Sequence, residues 1–236
     1  MFAFKEEQRP LEKISPRIKP RISKRAKRLA LRLDHKTGEI YLVIPSRTRM
    51  SKALEFAWSH KNWIREKLAE LPPQTQFVNG AVIPIFGRKT TIVIYYDDTL
   101  RKTDIYLIGR RLVVYTNKED PSGRITRYLK ELAREEIETL AYQKAKSIHK
   151  RICAIQVRDT KSRWGSCGPD GRISFSWRLI FAPYEALDYV VAHEVAHLIH
   201  LNHGPRFWAL CTELSSNFSK GKSWMRDHGH TLLRFG

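Results

Sequence analysis

The chain has 236 residues, of which 42% are hydrophobic and 28% charged, enough for one large domain or two small ones with a hydrophobic core. This composition excludes a chain that is disordered as a whole and a disulfide-stabilised miniprotein, and no apolar run is long enough to span a membrane. The N-terminus lacks the apolar segment of a secretory signal, and three cysteines without a CxxC motif fit a reducing compartment. We therefore expect a soluble, cytoplasmic protein without membrane contact.

The charge is the unusual bulk property, since 43 Lys and Arg against 24 Asp and Glu give a net charge of +19. Ten of the basic residues fall within residues 1–30, against three glutamates. We predict that residues 1–28 form a flexible basic tail, which would contact nucleic acid or another polyanion without sequence specificity. Solvated charge that keeps the protein in solution is the alternative interpretation.

The first predicted elements are two strands, LALRLD and EIYLVIP, joined by the turn sequence HKTG. Helical spacing of apolar residues over 51–71 predicts one amphipathic helix, which Pro72 and Pro73 end. Three β-branched runs, KTTIVIYY, DIYLI and RLVVYT, follow. Residues 29–116 are therefore predicted to form a small β-rich domain with one helix, and the turn-forming sequence NKEDPSG at 117–123 a linker.

After the linker the pattern becomes helical. Residues 124–150 predict a long amphipathic helix, and ICAIQVRD predicts a strand. Strict alternation in RISFSWRL predicts a half-buried strand, and Pro183 opens another helix. The predicted fold class is α+β, with the β-rich N-terminal domain followed by a second domain at 124–236.

The main chemical signal lies in that last helix, where DYVVAHEVAHLIHLNHGPRFW contains His193-Glu194-x-x-His197. Residues i and i+4 share one helix face, so two imidazoles there can bind one metal ion. Glu194 lies about 100° around the helix from His193, where its carboxylate can hold the water bound to that metal. Apolar neighbours predict a buried helix, in which these groups would be costly without a metal.

A catalytic zinc ion keeps three protein ligands and one open position, so a third ligand is expected. Asn202-His203-Gly204 is a helix-ending sequence that can turn the chain back, which makes His203 the natural candidate. His228 and His230 are the rival third ligands. For His200 we expect a supporting or surface role, because its spacing does not match that of the motif histidines.

Three segments in order, Arg163-Trp164-Gly165-Ser166-Cys167, ISFSWRLIFAP and YVVAHEVAHLIHLNHGPRFW, resemble those of the YgjP-like metallopeptidases. These are zincin-type proteins related more distantly to the SprT-like and WLM proteases, and the resemblance covers roughly residues 25–230. It implies a zincin-like metallohydrolase domain with the HExxH motif on its active-site helix. It also implies that His193, His197 and His203 bind the metal and that Glu194 is the catalytic residue.

The favoured function is a zinc-dependent hydrolase of the metallopeptidase type, in which Glu194 takes a proton from metal-bound water and passes it to the leaving amine. One divalent ion per chain is expected, with Mn²⁺ and Co²⁺ as alternatives to Zn²⁺. RISFSWRL is either an exposed edge that pairs with a peptide substrate or an ordinary core strand.

Two other functions stay open. Activated water also attacks phosphoryl centres, so a pyrophosphohydrolase of nucleoside triphosphates such as UTP would explain the basic charge; a nucleic-acid-associated protease or binding module is the third reading. Arg163, Arg178 and Arg206 lie near the motif in sequence and could bind a substrate carboxylate or phosphate. Cations within reach of His193 would favour a phosphate substrate, whereas a remote basic face would favour docking.

Overall fold

The computed structural model describes residues 10–160 and 162–236 and divides the chain into two compact units. The first unit ends at Pro73, and the second runs from Gln74 to Gly236. Six α-helices and three small sheets lie within the described residues, which agrees with the predicted mixed α+β class. In that part of the chain, none of the helices combines the length and the apolar character needed to cross a membrane.

The first unit holds a three-stranded sheet and two helices: β1 (Ile18–Ser23), β2 (Ala30–Asp34), β3 (Glu39–Pro45), α1 (Met50–Ser59) and α2 (Lys61–Ala69). β3 is central, parallel to β1 and antiparallel to β2, so the β2–β3 hairpin is as predicted. The single helix predicted over 51–71 is instead two helices. His60 leaves the helical conformation at ψ 16°, and its ring and the Ser59 hydroxyl both bond the carbonyl of Phe56.

The described part of the predicted basic tail, residues 10–28, is folded. Leu11, Ile14 and Ile18 are at most 6% exposed and belong to one core with Ile40 and Leu42 of β3. β1 also pairs with β3 over its whole length. The prediction of a flexible tail is therefore wrong here, because a few buried apolar side chains hold down a segment whose lysines and arginines are exposed. Residues 1–9 of that prediction lie outside the described residues.

The second unit begins with a four-stranded sheet and a long helix: β4 (Val82–Ile85), β5 (Arg88–Tyr96), β6 (Asp104–Ile108), β7 (Arg111–Thr116) and α3 (Ser122–Ser147). The strand order is β4-β5-β7-β6, so the three predicted runs are strands of one sheet. The predicted boundary at 117–123 lies inside this unit, because Leu112 of β7 and Leu129 of α3 share one hydrophobic core. The boundary between the two units follows Pro73 instead, and the sequence marked Pro72 and Pro73 only as a helix end.

The remaining elements carry the site: β8 (Ala154–Arg158), β9 (Gly165–Cys167), β10 (Arg172–Ser176), α4 (Tyr184–Ala196), α5 (Pro205–Leu214) and α6 (Phe218–His228). The predicted strand RISFSWRL ends at Ser176, and Trp177–Phe181 form a buried 3-10 helix. In the order β8-β10-β9, β10 is the central strand. It therefore has no free edge for a substrate, and the exposed-edge interpretation of RISFSWRL is wrong; β9 is the edge nearest the motif helix.

Two close contacts fix α4 within this unit. A largely buried ion pair joins Lys144 Nζ of α3 to Asp188 Oδ1 of α4 at 2.5 Å, and the same ammonium donates to the Leu214 carbonyl at the end of α5. On another side, α6 approaches α4 through Gly221, where a Cβ would lie 2.2 Å from the carbonyl oxygen of Glu185. Only glycine permits that backbone approach, so Gly221 sets the spacing of the two helices.

Candidate metal centre

Three histidines from two consecutive segments meet at the end of α4. His193 lies in the last turn of α4, and His197 caps that helix with αR backbone angles. The chain then turns through residues 198–204 and enters α5 at Pro205, a residue whose fixed φ suits the first helical turn. This turn brings His203 back to the motif, so that one ligand nitrogen from each of the three rings lies within 4.8 Å of the others.

The spacing of these nitrogens suits a metal ion. His203 Nε2 lies 3.1 Å from His193 Nε2. Two nitrogens bound at about 2.0–2.1 Å to one tetrahedral zinc ion would be about 3.3 Å apart. The third ring is correctly oriented for the same purpose, because His197 Nδ1 bonds the carbonyl oxygen of His200 at 2.9 Å and leaves Nε2 available. The donor set of three imidazoles therefore fits a divalent metal such as zinc.

The protonation states also fit. Burial, followed by the charges of His197, His203 and Lys222, lowers the pKa of His193 to about 4. Burial likewise lowers the pKa of His197. Both rings are therefore neutral near pH 7, the form in which imidazole binds a metal.

Phe207 packs against all three histidine rings of the cluster. Its ring is fully buried in the first turns of α5, and its centroid lies 4.9 Å from that of His193, 4.5 Å from that of His197 and 4.7 Å from that of His203. One apolar ring in contact with three imidazoles limits their rotation. His200 contributes through its backbone carbonyl, which matches the expected supporting role rather than ligation.

Glu194 is buried beside the cluster, with 6% of its surface exposed. Burial raises the pKa of its carboxyl to about 7, and the charge of Arg163 partly opposes that shift. Edge strand β9 lies against this carboxylate, because a Cβ at Gly165 would be 2.5 Å from both Cγ and Oε1 of Glu194. Glycine at 165 therefore leaves the space that the Glu194 side chain occupies.

A cavity of about 600 Å³ opens between α4 and α6, and we call it the α4–α6 cavity. His193 and Glu194 line it from α4, Gly165 from β9, and Lys222 and Arg226 from α6. The rest of its wall is mostly aromatic and apolar, with two serines of α6 in addition: Trp164, Tyr189, Val190, Phe218, Met225, Ser219 and Ser223. A second cavity, of about 370 Å³, borders His197 and the turn that follows β9 at Gly168. Both cavities adjoin the histidine cluster; Gly165 of β9 lines the first, and Gly168, just after β9, lines the second.

The three arginines named from the sequence have different surroundings. Arg163 is exposed, but its charge acts on Glu194. Arg178 is 2% exposed, bonds Asp159 Oδ1 at 2.8 Å and the Phe235 carbonyl, and lies over the Trp177 ring. It is a buried structural residue, so its assignment to substrate binding is wrong. Arg206 is exposed on α5 and lines neither cavity.

The rival ligands and the cysteines are not part of the cluster. His228 is exposed at the end of α6, where its ring lies 5.5 Å from that of Trp224, and His230 is exposed beyond it. Neither belongs to the group of potential ligands formed by the described residues His193, His197 and His203. Burial raises the pKa of Cys167 to about 11 and that of Cys211 to about 12, and neither thiol belongs to this group of potential ligands.

Sequence reasoning missed Lys222, Arg226 and Tyr189, all of which line the α4–α6 cavity. The cations lie on α6, which is separated from the HExxH motif by the whole of α5. The one local signal is Gly221, an unfavourable residue within a helix, which indicates close packing against another element.

The sequence model of a known family matches this chain. The family is described as YgjP-like, metallopeptidase domain, and the match covers residues 27–228. Searches of curated proteins and of solved structures gave no match.

Proposed function

The chain belongs to the YgjP-like metallopeptidase family, and from this premise we propose that it is a zinc-dependent hydrolase of zincin type in which Glu194 is the general base. Membership of the family indicates a metal-dependent hydrolase. The observation that carries the finer proposal is the juxtaposition of three histidine nitrogens with a buried glutamate that lines the same cavity as His193. We assign His193, His197 and His203 to the metal.

A bound divalent ion would lower the pKa of water to about 7 and polarise the bond to be hydrolysed. Glu194 accepts a proton from the attacking water while the oxygen of that water forms a bond to the carbonyl carbon. The carboxyl group then delivers this proton to the leaving nitrogen as the carbon–nitrogen bond breaks. Burial favours this role, because a base with a pKa near the working pH takes up and gives back a proton readily.

Edge strand β9 supports a peptide as the substrate. An extended peptide can add to a sheet edge through backbone hydrogen bonds, while its alternate side chains enter neighbouring pockets. Gly165 lies beside Glu194 and borders the α4–α6 cavity, and Gly168, just after β9, borders the second cavity. A peptide on β9 would therefore pass the general base with a cavity available on each side.

Nucleoside triphosphate hydrolysis is the second candidate, and one observation favours it. Lys222 and Arg226 line the same cavity as His193, and three aromatic side chains line it with them: Trp164, Tyr189 and Phe218. Cations and aromatic rings together suit a phosphate chain attached to a base. Of the three arginines first considered, only Arg163 adds to this charge near Glu194.

The test uses the full chain, stripped with a chelator and reloaded with zinc. Turnover is measured on an unstructured protein and on a panel of nucleoside triphosphates. We expect hydrolysis by the parent protein and a fall of about 10²–10⁴ in Glu194→Gln, the usual contribution of a positioned base. Glu185→Gln, on the first turn of the same helix, is the matched control and should stay within a few-fold of the parent. Equal activity of Glu194→Gln and the parent would reject the general base.

A further inference from the structure

Two cations of α6 line the α4–α6 cavity, Lys222 and Arg226, and of these Lys222 has no carboxylate partner among the residues that the structure describes. Its ammonium lies 3.9 Å from the centroid of the Trp208 ring and 5.4 Å from that of Phe218. Arg226 lines the same cavity, but Asp227 binds it through Nε at 2.8 Å and Nη2 at 3.0 Å. The two cations therefore differ, because Arg226 already has an anion, whereas the contacts of the Lys222 ammonium with described residues are to the Trp208 and Phe218 rings.

The position of Lys222 relative to the histidines is fixed by the fold. Trp208, which contacts the ammonium, has its ring centroid 5.8 Å from that of His193 and 5.6 Å from that of His203. Gly221, the residue before Lys222, packs directly on the α4 backbone. The lysine is thus anchored at both ends next to the histidine cluster, while its side chain stays exposed to the α4–α6 cavity.

We propose that Lys222 binds an anionic group of the substrate, a carboxylate or a phosphate, in the α4–α6 cavity. The inference rests on the proposed function, which makes this cavity the substrate site. An ammonium held over an aromatic ring keeps its three donors and its full charge, and a charge-assisted hydrogen bond to an oxyanion is among the stronger polar contacts in proteins. Substrates with an anionic group close to the scissile bond are therefore selected over neutral ones.

The test measures binding without turnover, in full-length, zinc-loaded Glu194→Gln protein. Inorganic phosphate and glutarate are the two probes, and calorimetry gives their affinities. We expect Lys222→Met to weaken binding of at least one probe about tenfold, the typical effect of one hydrogen bond to a charged group. Lys222→Arg keeps the charge and should retain most of the affinity.

Lys220→Met is the matched control, because Lys220 is an exposed lysine on the same helix that does not line the cavity. Its affinity for both probes should equal that of the parent. The zinc content of each variant is measured as well, so that a change in probe affinity can be distinguished from a loss of zinc.

Loss with phosphate alone supports the proposal and assigns a phosphate substrate, whereas loss with glutarate alone supports it and assigns a carboxylate. Loss with both supports the shared oxyanion chemistry. The proposal is overturned if neither probe binds the Glu194→Gln protein that still has Lys222. It is also overturned if adding Lys222→Met changes both affinities less than twofold, or if adding Lys220→Met weakens binding as much as Lys222→Met does. Because no turnover is needed, Lys222-dependent binding without any hydrolysis would contradict the proposed function and leave this inference supported.

Discussion

The two helices that form the walls of the α4–α6 cavity differ sharply. α4 is buried along most of its length and carries His193 and Glu194, whereas most side chains of α6 are polar and exposed, including Lys222. The reactive groups thus lie where burial shifts their pKa values and packing limits their motion. The groups available to bind a substrate lie on a surface that can change without disturbing the core. Gly165 and Gly221 are the two positions where this division can be tested by adding one methyl group.

Of the substitutions that test this division, Gly165→Ala is expected to have the largest effect. The new Cβ would lie 2.5 Å from Glu194 Oε1, so the carboxylate must move, and a displacement of about 1 Å can cost about 10² in rate. Turnover should fall by about that factor while the metal content stays unchanged. Gly123→Ala is the control, since nothing lies within 4 Å of its Cβ. A Gly165→Ala protein with parental turnover would mean that the position of Glu194 does not matter for the reaction.

The second prediction concerns the burial of Glu194 in metal-free protein. Its pKa is raised from 4.5 to about 7 in the folded chain. Below about pH 4.5 the carboxyl is protonated in both states; as pH rises to about 7 only the unfolded state ionises, so the parent loses stability. Glu194→Gln lacks this loss. Its stability relative to the parent should therefore increase between those pH values, by at most about 3 kcal/mol.

Denaturant unfolding of chelator-treated parent and Glu194→Gln proteins across this pH range gives the difference directly. Glu185→Gln serves again as the control on the same helix. A difference between Glu194→Gln and the parent that does not change with pH would show that Glu194 is not desolvated as its burial indicates.

The third prediction addresses the contact between the walls. In Gly221→Ala the Cβ would meet the Glu185 carbonyl oxygen at 2.2 Å and Tyr189 Cβ at 2.5 Å, so α6 must move away from α4. Overpacking of this kind costs about 1–3 kcal/mol, which thermal unfolding can measure. The same shift should weaken phosphate binding through Lys222 more than metal binding. Unchanged stability would show that α6 is not held closely against α4.

The elements with strong local patterns could be predicted from the sequence, and those defined by distant contacts could not. The β2–β3 hairpin and helices α3 and α4 follow from alternation, turn residues and helical spacing. The boundary at Pro73 and the burial of Arg178 depend on a core and an ion pair formed by residues far apart in the chain. The same limit applies to the site. Local spacing in the sequence predicted His193, His197 and His203 as ligands, whereas Lys222 lines the cavity because α6 packs on α4, which no local spacing indicates.

Elemental analysis of purified parent, Glu194→Gln and His203→Ala proteins distinguishes the metal ligands from the general base. We expect one metal ion per chain in the parent and in Glu194→Gln, because all three imidazoles remain, and a strong loss of metal in His203→Ala. Full metal content in His203→Ala would contradict the assignment of His203 as a ligand. Loss of the metal in Glu194→Gln would contradict the role of Glu194 as general base, since Glu194 would then hold the metal instead of moving the proton.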